Sequence, residues 1–528
     1  MHLGIDFGTA NTRVSKLEDA GVPTVLRIGR GQYASELMPS ACWIDGNGKI
    51  VVGESCLARP NRIMFIKRYW QQRPEDQLEK IWPNGKNVIS GRTYSCDEVV
   101  EAVLSEAITR ALEQSTPSER EDGFTANIVC PVDFDHKKRF ALVQMLSRQG
   151  ARSVTLGNVI DEPLAAAVLY CRLDENPPVK RDILVFDAGA GTVDVAIVRY
   201  EESNGLKRAT VLAETGRCTA GADLDKVMQR LLLEKISRLV PGLTEEQVFL
   251  AYNPDPEAGR ISFQDECEQM KISLERNTSV SSVPQSGFPG LSRASFEVTR
   301  EEFCVAAKTE LFNMGDAVSS AKKMAKTVIE DFRKVELVML VGGTSRLPFV
   351  REMVMSLVPE ATLLTQDYLN EMLATVRGAG FSKDFADLVV LRPPYETRLR
   401  VTLLSGSTDT LILNDAYESF PRLQFFGGTV PKISKTQYFD SPIDTVTVSF
   451  VSPIGQHILV SQEDLDPSLF RGCRHLEARL DIHASLNLSS DSKSKSISAP
   501  YFTQVGLVPK KPYCSKTINA PDFYPDDN

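Results

Sequence analysis

Hydrophobic and polar positions follow two different periods along the chain, and the change of period divides the protein. In residues 97–114 apolar side chains recur every three to four positions, which is typical of an amphipathic helix. Residues 224–239 show the same period, and β-branched runs at residues 128–130, 183–186, 195–198 and 335–341 predict strands. Strands that alternate with helices predict an α/β architecture for the first two-thirds of the chain.

Local signals mark where two further helices begin. Thr299 is followed three residues later by Glu302, the spacing of a capping box, and Phe303 then starts an apolar pattern. Pro348 suits the first turn of a helix that continues through Val350 and Val354.

The last quarter of the chain changes to strict alternation. Leu399, Val401 and Leu403 share one face of a strand, and residues 476–488 place apolar side chains at every even position. Half-buried antiparallel strands of this kind predict an all-β domain over residues 395–508. Residues 386–394 are expected to form a linker, residues 489–498 a hairpin or loop, and residues 509–528 an unstructured tail.

An internal repeat connects two distant parts of the α/β region. Residues 3–17 match residues 184–198 at a constant offset of 181, so Asp6 pairs with Asp187 and Gly8 with Gly189. Each copy is an apolar strand, an aspartate, a tight turn with glycine and a second strand. One such hairpin is common, but two copies predict similar halves, about residues 1–180 and 181–385, with their turns facing across a cleft.

Composition narrows the class of protein. The 528 residues include 60 Lys and Arg against 69 Asp and Glu, a net charge of −9, with 42% hydrophobic and 24% charged residues. These values predict a globular protein with neither nucleic acid nor a membrane as partner. Ten cysteines are scattered singly, and no basic, apolar leader is visible at the N-terminus. Both features favour a cytoplasmic protein with reduced thiols.

The two turns have the chemistry of a phosphate site. Small residues at 8–12 and 189–192 let phosphate oxygens approach backbone N–H groups, and the hydroxyl groups of Thr9 and Thr12 add donors. Asp6, Asp187 and Asp194 would supply carboxylates for a hydrated Mg²⁺. The chain lacks the Walker sequence GxxxxGK[ST], which argues against a P-loop nucleoside triphosphatase.

Five sequence blocks, in this order and spacing, resemble the DnaK-type, seventy-kilodalton heat-shock chaperones of the actin-like ATPase superfamily. They are GIDFGTANT at residues 4–12, FIKR at 65–68, DEPLAAAVLY at 161–170, FDAGAGTVDV at 186–195 and VGGTSRLP at 341–348. The resemblance implies an α/β actin-like ATPase of two ribonuclease-H-like halves, followed by an all-β substrate-binding domain. The linker stretch DLVVL also matches, whereas no helical lid follows the β-domain, so an atypical, lidless member is expected.

The resemblance also implies a role for each matching residue. Lys67, Glu162, Asp187 and Thr192 would carry out ATP hydrolysis, and Asp6, Asp187 and Asp194 would surround Mg²⁺. The nucleotide itself would be held by Gly8, Thr9, Ala10, Asn11, Thr12, Gly189, Ala190, Gly191, Thr192, Glu268, Lys271, Gly342, Gly343 and Arg346, the last stacking on the base. Pro131 and Arg139 match positions that couple the nucleotide state to the linker.

Several positions depart from the family pattern. Ala190 replaces a glycine, Ile272 an arginine that stacks on adenine, Glu275 a small hydroxyl residue and Asp161 an asparagine. Glu275 would repel the phosphates or pair with Lys271. These changes predict weaker ATP binding than is usual for the family.

Three functions remain open from the sequence. The favoured one is an ATP-hydrolysing chaperone that binds an unfolded or dedicated client protein, with a co-chaperone and a nucleotide-exchange factor as further partners. A filament-forming ATPase similar to actin and MreB would share the first sequence block, and a small-molecule kinase would share the fold. FIKR, VGGTSRLP and the added β-domain favour the chaperone.

Overall fold

The structure is a computed structural model. It describes residues 2–17, 21–31, 35–59, 62–72, 88–89, 92–132, 134, 136–149, 154–173, 180–203, 206–288, 291, 294–328, 332, 334–364, 373–381, 389–390, 396–414, 432–451, 457–459, 466–481, 485–490 and 493–498. None of the helices in these ranges has the length and apolar character needed to cross a bilayer. The predicted tail at residues 509–528 lies outside the described residues.

The first lobe is built around one mixed sheet. Its elements are β1 (His2–Phe7), β2 (Asn11–Leu17), β3 (Thr24–Val25), β4 (Met38–Pro39), β5 (Cys42–Ile44), β6 (Ile50–Val52), α1 (Ile66–Gln72), β7 (Val88–Ile89), β8 (Arg92–Thr93), α2 (Cys96–Glu113), α3 (Pro117–Asp122), β9 (Phe124–Cys130), α4 (His136–Ser147), β10 (Val154–Asp161) and α5 (Glu162–Leu173). The main sheet has the order β10-β9-β1-β2-β3, and β4 also pairs with β2. A short 3-10 helix, Glu54–Cys56, follows β6.

The second lobe repeats the arrangement. It contains β11 (Lys180–Ala188), β12 (Val193–Ser203), β13 (Leu206–Arg217), α6 (Gly221–Leu239), α7 (Glu245–Tyr252), α8 (Pro256–Ser273), β14 (Ser279–Ser282), β15 (Phe296–Thr299), α9 (Arg300–Ala306), α10 (Lys308–Val328), β16 (Leu337–Val341), a 3-10 helix (Thr344–Arg346), α11 (Pro348–Leu357), β17 (Thr362–Leu363), α12 (Ala374–Gly380) and β18 (Val389–Val390). Its main sheet has the order β17-β16-β11-β12-β13-β18.

Strand register confirms the internal repeat. β1 lies between an antiparallel partner, β2, and a parallel partner, β9, and β11 lies in the same way between β12 and β16. Asp6 is opposite Arg13 in the first pair, and Asp187 is opposite Asp194 in the second. The two hairpin turns therefore occupy equivalent positions in the two lobes.

The predicted helices form because their apolar stripes are buried. Val99, Val103 and Ile108 of α2 have no exposed surface, and Ser95 caps the helix in a capping box with Glu98. The predicted capping box at Thr299 begins α9, and Pro348 is in the first turn of α11.

One helix crosses from the end of the second lobe to the first. α12 packs against α5 and β1, and a Cβ atom on Gly378 would overlap the backbone of Ala165. Asn127 Nδ2 in β9 donates to Ala379 O at 2.8 Å, and Ser15 Oγ in β2 donates to Val376 O at 2.6 Å. The predicted division at about residue 180 therefore places α12 in the second half, although this helix packs against the first lobe.

The C-terminal part is all-β, as the alternation predicts. Its strands are β19 (Glu396–Leu403), β20 (Thr408–Asn414), β21 (Lys432–Tyr438), β22 (Ile443–Val451), β23 (His457–Leu459), β24 (His475–Asp481), β25 (Ser485–Ser490) and β26 (Lys493–Ser498). They form two sheets, β20-β19-β22-β23 and β21-β24-β25-β26, around one apolar core. β25 and β26 pair from Ser485 and Ser498 to Ser490 and Lys493, so the described residues of the predicted hairpin or loop, 489–490 and 493–498, are paired strand residues.

Cysteine chemistry differs from the expectation at one position. Cys42, Cys56, Cys96, Cys130, Cys171, Cys267, Cys304 and Cys473 are free thiols, and all but Cys304 are buried. Cys218 is disulfide-bonded, so the prediction of reduced thiols is wrong there.

Candidate functional site

A cavity of about 230 Å³ lies where the β1–β2 turn of the first lobe meets the β11–β12 turn of the second. The predicted site residues that line it are Asp6, Gly8, Thr9, Ala10, Asn11, Lys67, Glu162, Asp187, Gly189, Ala190, Gly191, Thr192, Glu268, Lys271, Gly342, Gly343 and Arg346. Thr12 and Asp194 are outside this lining.

The β1–β2 turn is fixed from behind by Ser40. Ser40 Oγ donates to Gly8 O at 2.8 Å, and Ser40 N donates to Ala10 O at 2.9 Å. Thr12 Oγ1 is 2.9 Å from Ser40 Oγ, and the Thr12 side chain is fully buried. Thr12 therefore supports the turn through Ser40, and its predicted contact with phosphate remains a prediction.

The β11–β12 turn is tied to two neighbouring segments. Gly189 N donates to Thr192 O at 3.1 Å within the turn, and Thr344 Oγ1 donates to Gly189 O at 2.7 Å. Ala222 N, at the start of α6, donates to Ala190 O at 2.8 Å. The positive-φ residues are all glycines apart from Phe65, among the described residues, so Ala190 fits this turn without left-handed strain.

Gly191 is where the two turns come closest. A Cβ atom at this position would overlap the side chain of Thr9, which is itself 7% exposed. We expect Gly191→Ala to weaken nucleotide binding about 10-fold, because overpacking here costs roughly 1–3 kcal/mol or separates the turns. Calorimetric titration with ATP measures the change, and Gly46→Ala, whose Cβ would contact nothing within 4 Å, is the control. Equal affinities for the two variants would contradict this role.

Lys67 lies in the first turn of α1, two residues after a strained residue. Phe65 has φ of 57°, which is uncommon for an aromatic residue, and its carbonyl accepts from Arg68 N at 2.9 Å. Lys67 Nζ donates to Glu162 Oε1, and both side chains are buried. Burial alone would lower the pKa of Lys67, but Glu162 and Asp6 raise it, so the ammonium group stays charged.

Carboxylates are crowded around this ammonium group. Burial, followed by repulsion from Asp6, raises the pKa of Glu162, although Lys67 opposes the shift. Burial and the neighbouring carboxylates of Glu162 and Asp6 raise the pKa of Asp187 to about 8. Thr375 Oγ1 donates to Asp187 Oδ2 at 3.0 Å. A further cation among these groups would offset their mutual repulsion.

The oxygen chemistry of the site fits Mg²⁺ held partly by water. Asp6 and Asp187 line the cavity, whereas Asp194 lies behind it and accepts from Val132 N at 2.8 Å. Within the described ranges, no three His, Cys, Asp or Glu side chains are grouped closely enough to hold a metal directly. A Mg²⁺ ion here would therefore complete its shell with phosphate oxygens and water, which it commonly does.

Another part of the cavity wall is built from α8 and the turn after β16. Gly342 has φ of 83°, and a Cβ atom there would overlap Ala188 O, so this turn requires glycine. Arg346 Nη2 is 2.5 Å from Glu275 Oε1. Lys271 Nζ is 2.6 Å from Asp225 Oδ1. The expected alternatives for Glu275 were repulsion of phosphate or a pair with Lys271, and the structure instead pairs it with Arg346.

Glu268 and Lys271 both line the cavity from α8, and both have acidic neighbours. Lys271 also donates to Gly221 O at 3.2 Å and is buried. Burial and the nearby Asp225 raise the pKa of Glu268, although Lys271 opposes this shift. Their predicted contacts with the ribose and base remain predictions.

Pro131 and Arg139 are brought together behind the site. Arg139 is 1% exposed, and its Nη2 donates to Pro131 O at 3.3 Å and to Asp161 Oδ1. Asp161 directly precedes Glu162. Arg139 therefore links the C-terminal end of β10 to the segment that follows β9. Its burial excludes a role as a surface residue.

Sequence reasoning missed five residues that shape the site. Arg13 Nη1 is 3.4 Å from Asp6 Oδ2 in the cavity, and Arg68 Nη2 is 2.8 Å from Asp223 Oδ1 in the second lobe. The others are Ser40, Thr344 and Thr375. Arg13 could have been found, because the repeat aligns it with Asp194; an isolated serine or threonine carries no comparable signal.

Comparisons with known proteins agree with this geometry. The Hsp70 protein family matches residues 2–381. The chaperone protein DnaK of Mycoplasma mycoides is 28% identical over 417 residues, which are 74% of this chain and 61% of that protein. DnaK of Ureaplasma urealyticum is 26% identical over 524 residues, or 93% of this chain and 76% of that protein. A stromal 70 kDa heat shock-related protein of Pisum sativum chloroplasts is 27% identical over 414 residues, 74% of this chain and 54% of the relative.

These matches confirm the predicted family and fold class. They also support the class of ATP-dependent, DnaK-like chaperone over a filament protein or a small-molecule kinase. The family match includes both lobes, both turns, Lys67 and the turn after β16. The chain belongs to the Hsp70 family.

Proposed function

We propose that this protein binds Mg-ATP between its lobes, hydrolyses it, and uses the nucleotide state to control how its β-domain holds a client protein. The observation that carries the proposal is the convergence of the two small-residue turns with the buried Lys67–Glu162 pair on one cavity. Backbone N–H groups in such turns bind phosphate oxygens, and a fixed ammonium group compensates charge on a reacting phosphate.

Each side chain has a distinct task in this proposal. Lys67 stabilises the negative charge that develops on the γ-phosphate, and Glu162 holds its ammonium group in place. Asp187 and Thr192 orient the attacking water, with Asp187 steadied by Thr375. Asp6 and Asp187 would face the hydrated Mg²⁺, which neutralises phosphate oxygens when bound.

Val132 connects the nucleotide cavity to the β-domain. Its N–H donates to Asp194 Oδ1, and its side chain belongs to the same buried apolar cluster as Leu399 and Val448 of the β-domain. Arg139 Nη2 holds the Val132 carbonyl at 3.4 Å. A change in the position of Asp194 would therefore be transmitted to the β-domain through Val132.

The linker provides a second connection. β18 pairs in parallel with β13 at the edge of the second lobe's sheet, with Val389 opposite Ala209 and Val390 opposite Thr210. Residues 386–388 and 391–394 of the predicted linker lie outside the described residues. A strand that is docked in one nucleotide state and released in another would move the β-domain between two positions.

The client, its location and the helper proteins belong to the same proposal. Two four-stranded sheets form a β-domain of the kind expected to hold an unfolded or dedicated client. A co-chaperone and a nucleotide-exchange factor would act on such a cycle, and a cytoplasmic location fits the composition. These assignments rest on the family resemblance.

Client binding measured in ADP and in ATP tests the function. A fluorescently labelled, permanently unfolded protein is titrated with the full chain, and we expect at least a 10-fold weaker complex in ATP, because linker docking and client binding compete. Hydrolysis of Mg-ATP is followed in the same samples, with EDTA as the control. Equal client affinity in both nucleotides would contradict the coupling, and ATP-dependent pelleting without client binding would support a filament instead.

A further inference from the structure

An ion pair joins two separate segments in the cavity wall formed by α8 and the turn after β16. Arg346 ends the 3-10 helix Thr344–Arg346, and Glu275 follows α8, 71 residues earlier in the chain. Arg346 Nη2 and Glu275 Oε1 are 2.5 Å apart, and the two side chains are 32% and 24% exposed. Both line the cavity. This pair therefore spans the cavity wall without being fully buried.

The backbone on each side of the pair is fixed. Glu275 N donates to Ile272 O at 3.0 Å, which continues the last turn of α8. On the other side, Ser345 Oγ donates to Gly342 O at 2.6 Å, and Leu347 N donates to Thr344 O at 3.2 Å. Since both anchors are held, the carboxylate of Glu275 limits the rotamers open to the long Arg346 side chain.

Ile272 presents an apolar surface in the same wall. It is 44% exposed although it is a large aliphatic residue, and it lies one helical turn before Glu275. An aliphatic face and a flat guanidinium group that line one cavity suit a planar aromatic ring, which packs on the first and stacks on the second. The two small-residue turns of the same cavity suit phosphate. The cavity thus has separate chemistry for the base and for the phosphates of a nucleotide.

We infer that Glu275 is a positioning residue for the nucleobase, acting through Arg346. It holds the Arg346 guanidinium in the cavity wall that Ile272 also lines and compensates its charge, so this part of the site selects the ring by stacking and contributes little attraction for phosphate charge. The inference rests on the proposed nucleotide-binding function.

Removal of the Glu275 charge tests this assignment in the full chain. We expect Glu275→Gln to weaken ATP binding about 10-fold, because Arg346 is no longer immobilised before the base arrives. Inhibition of ATP hydrolysis by inorganic tripolyphosphate, which has no base, should not become weaker, because the guanidinium group keeps its positive charge when the carboxylate is lost. The matched control is Arg276→Gln, since Arg276 is 82% exposed and lies 3.9 Å from the same carboxylate.

A double-mutant cycle separates positioning from general damage. Arg346→Ala should also weaken ATP binding, and adding Glu275→Gln to it should cause no further loss, because the residue acts only through Arg346. Unchanged ATP affinity in Glu275→Gln, or an equal loss for tripolyphosphate, would overturn the inference while leaving the proposed function intact. Absence of ATP binding by the unsubstituted protein would overturn both.

Discussion

Replacing Lys67 with alanine is expected to slow single-turnover ATP hydrolysis by about 100-fold or more while Mg-ATP binding is largely retained. The ammonium group is 2% exposed and paired with Glu162, so it is already oriented before the reaction and needs no rearrangement. The turns at residues 8–11 and 189–192 do not depend on it for their hydrogen bonds. Quenched-flow measurement of product in one turnover gives the rate, and calorimetry gives the affinity.

Two controls are needed for the Lys67 variants: one for loss of protein stability, and one for the removal of any paired lysine. Breaking a buried ion pair costs about 3–5 kcal/mol, so Lys67→Met, which keeps the aliphatic volume, is measured beside the alanine variant by thermal unfolding. Lys235→Ala is the matched surface control, because Lys235 pairs with Glu302 at 2.8 Å on the outside of the second lobe. Wild-type turnover in a folded Lys67 variant would remove this residue from the mechanism.

Replacing both Val389 and Val390 with aspartate is expected to remove most of the effect of ATP on client release. The rate of client release in ATP should then be within about twofold of the rate in ADP. These residues form β18, whose parallel pairing with Ala209 and Thr210 extends the second lobe's sheet. Aspartate is among the poorest strand formers, with a difference of about 1 kcal/mol per position, and it would place charge at a sheet edge. The fluorescence of a labelled unfolded protein during rapid mixing with ATP reports release.

The linker prediction has one control variant and two outcomes that would contradict it. Val283→Asp serves as control, because Val283 is 64% exposed in the second lobe and the same change there should leave release and hydrolysis as they were. If the linker variant still releases client on ATP addition at the wild-type rate, the coupling proposal fails. The same conclusion follows if ATP protects the wild-type linker from protease no better than ADP does.

Much of the fold could be predicted because its signals are local. The stripe in α2 and its Ser95 cap involve residues within a few positions of one another, so the pattern of burial follows directly from the helical period. Strict alternation predicted the β-domain in the same way, and Leu399 and Val401 are fully buried there. The repeat at an offset of 181 predicted two equivalent hairpins whose turns line one cavity.

The partners of individual side chains could not be predicted from the sequence. Only the structure shows that the hydroxyl group of Thr12 lies against Ser40 Oγ, and that Asp194 accepts from Val132 N outside the cavity lining. α12 follows the second lobe in sequence and packs on the first, which brings Thr375 to Asp187. None of these contacts involves residues close together in the chain.

By itself, the sequence determined the elements, the two glycine turns and the family, because backbone preferences, burial periods and motif spacings act over a few residues. Only the tertiary structure decided which charges meet. Glu275 could pair with Lys271 four residues earlier, yet Lys271 is held by Asp225 and Glu275 meets Arg346. A charged side chain takes the partner that packing places within about 3 Å, and packing depends on every lobe and helix that surrounds it.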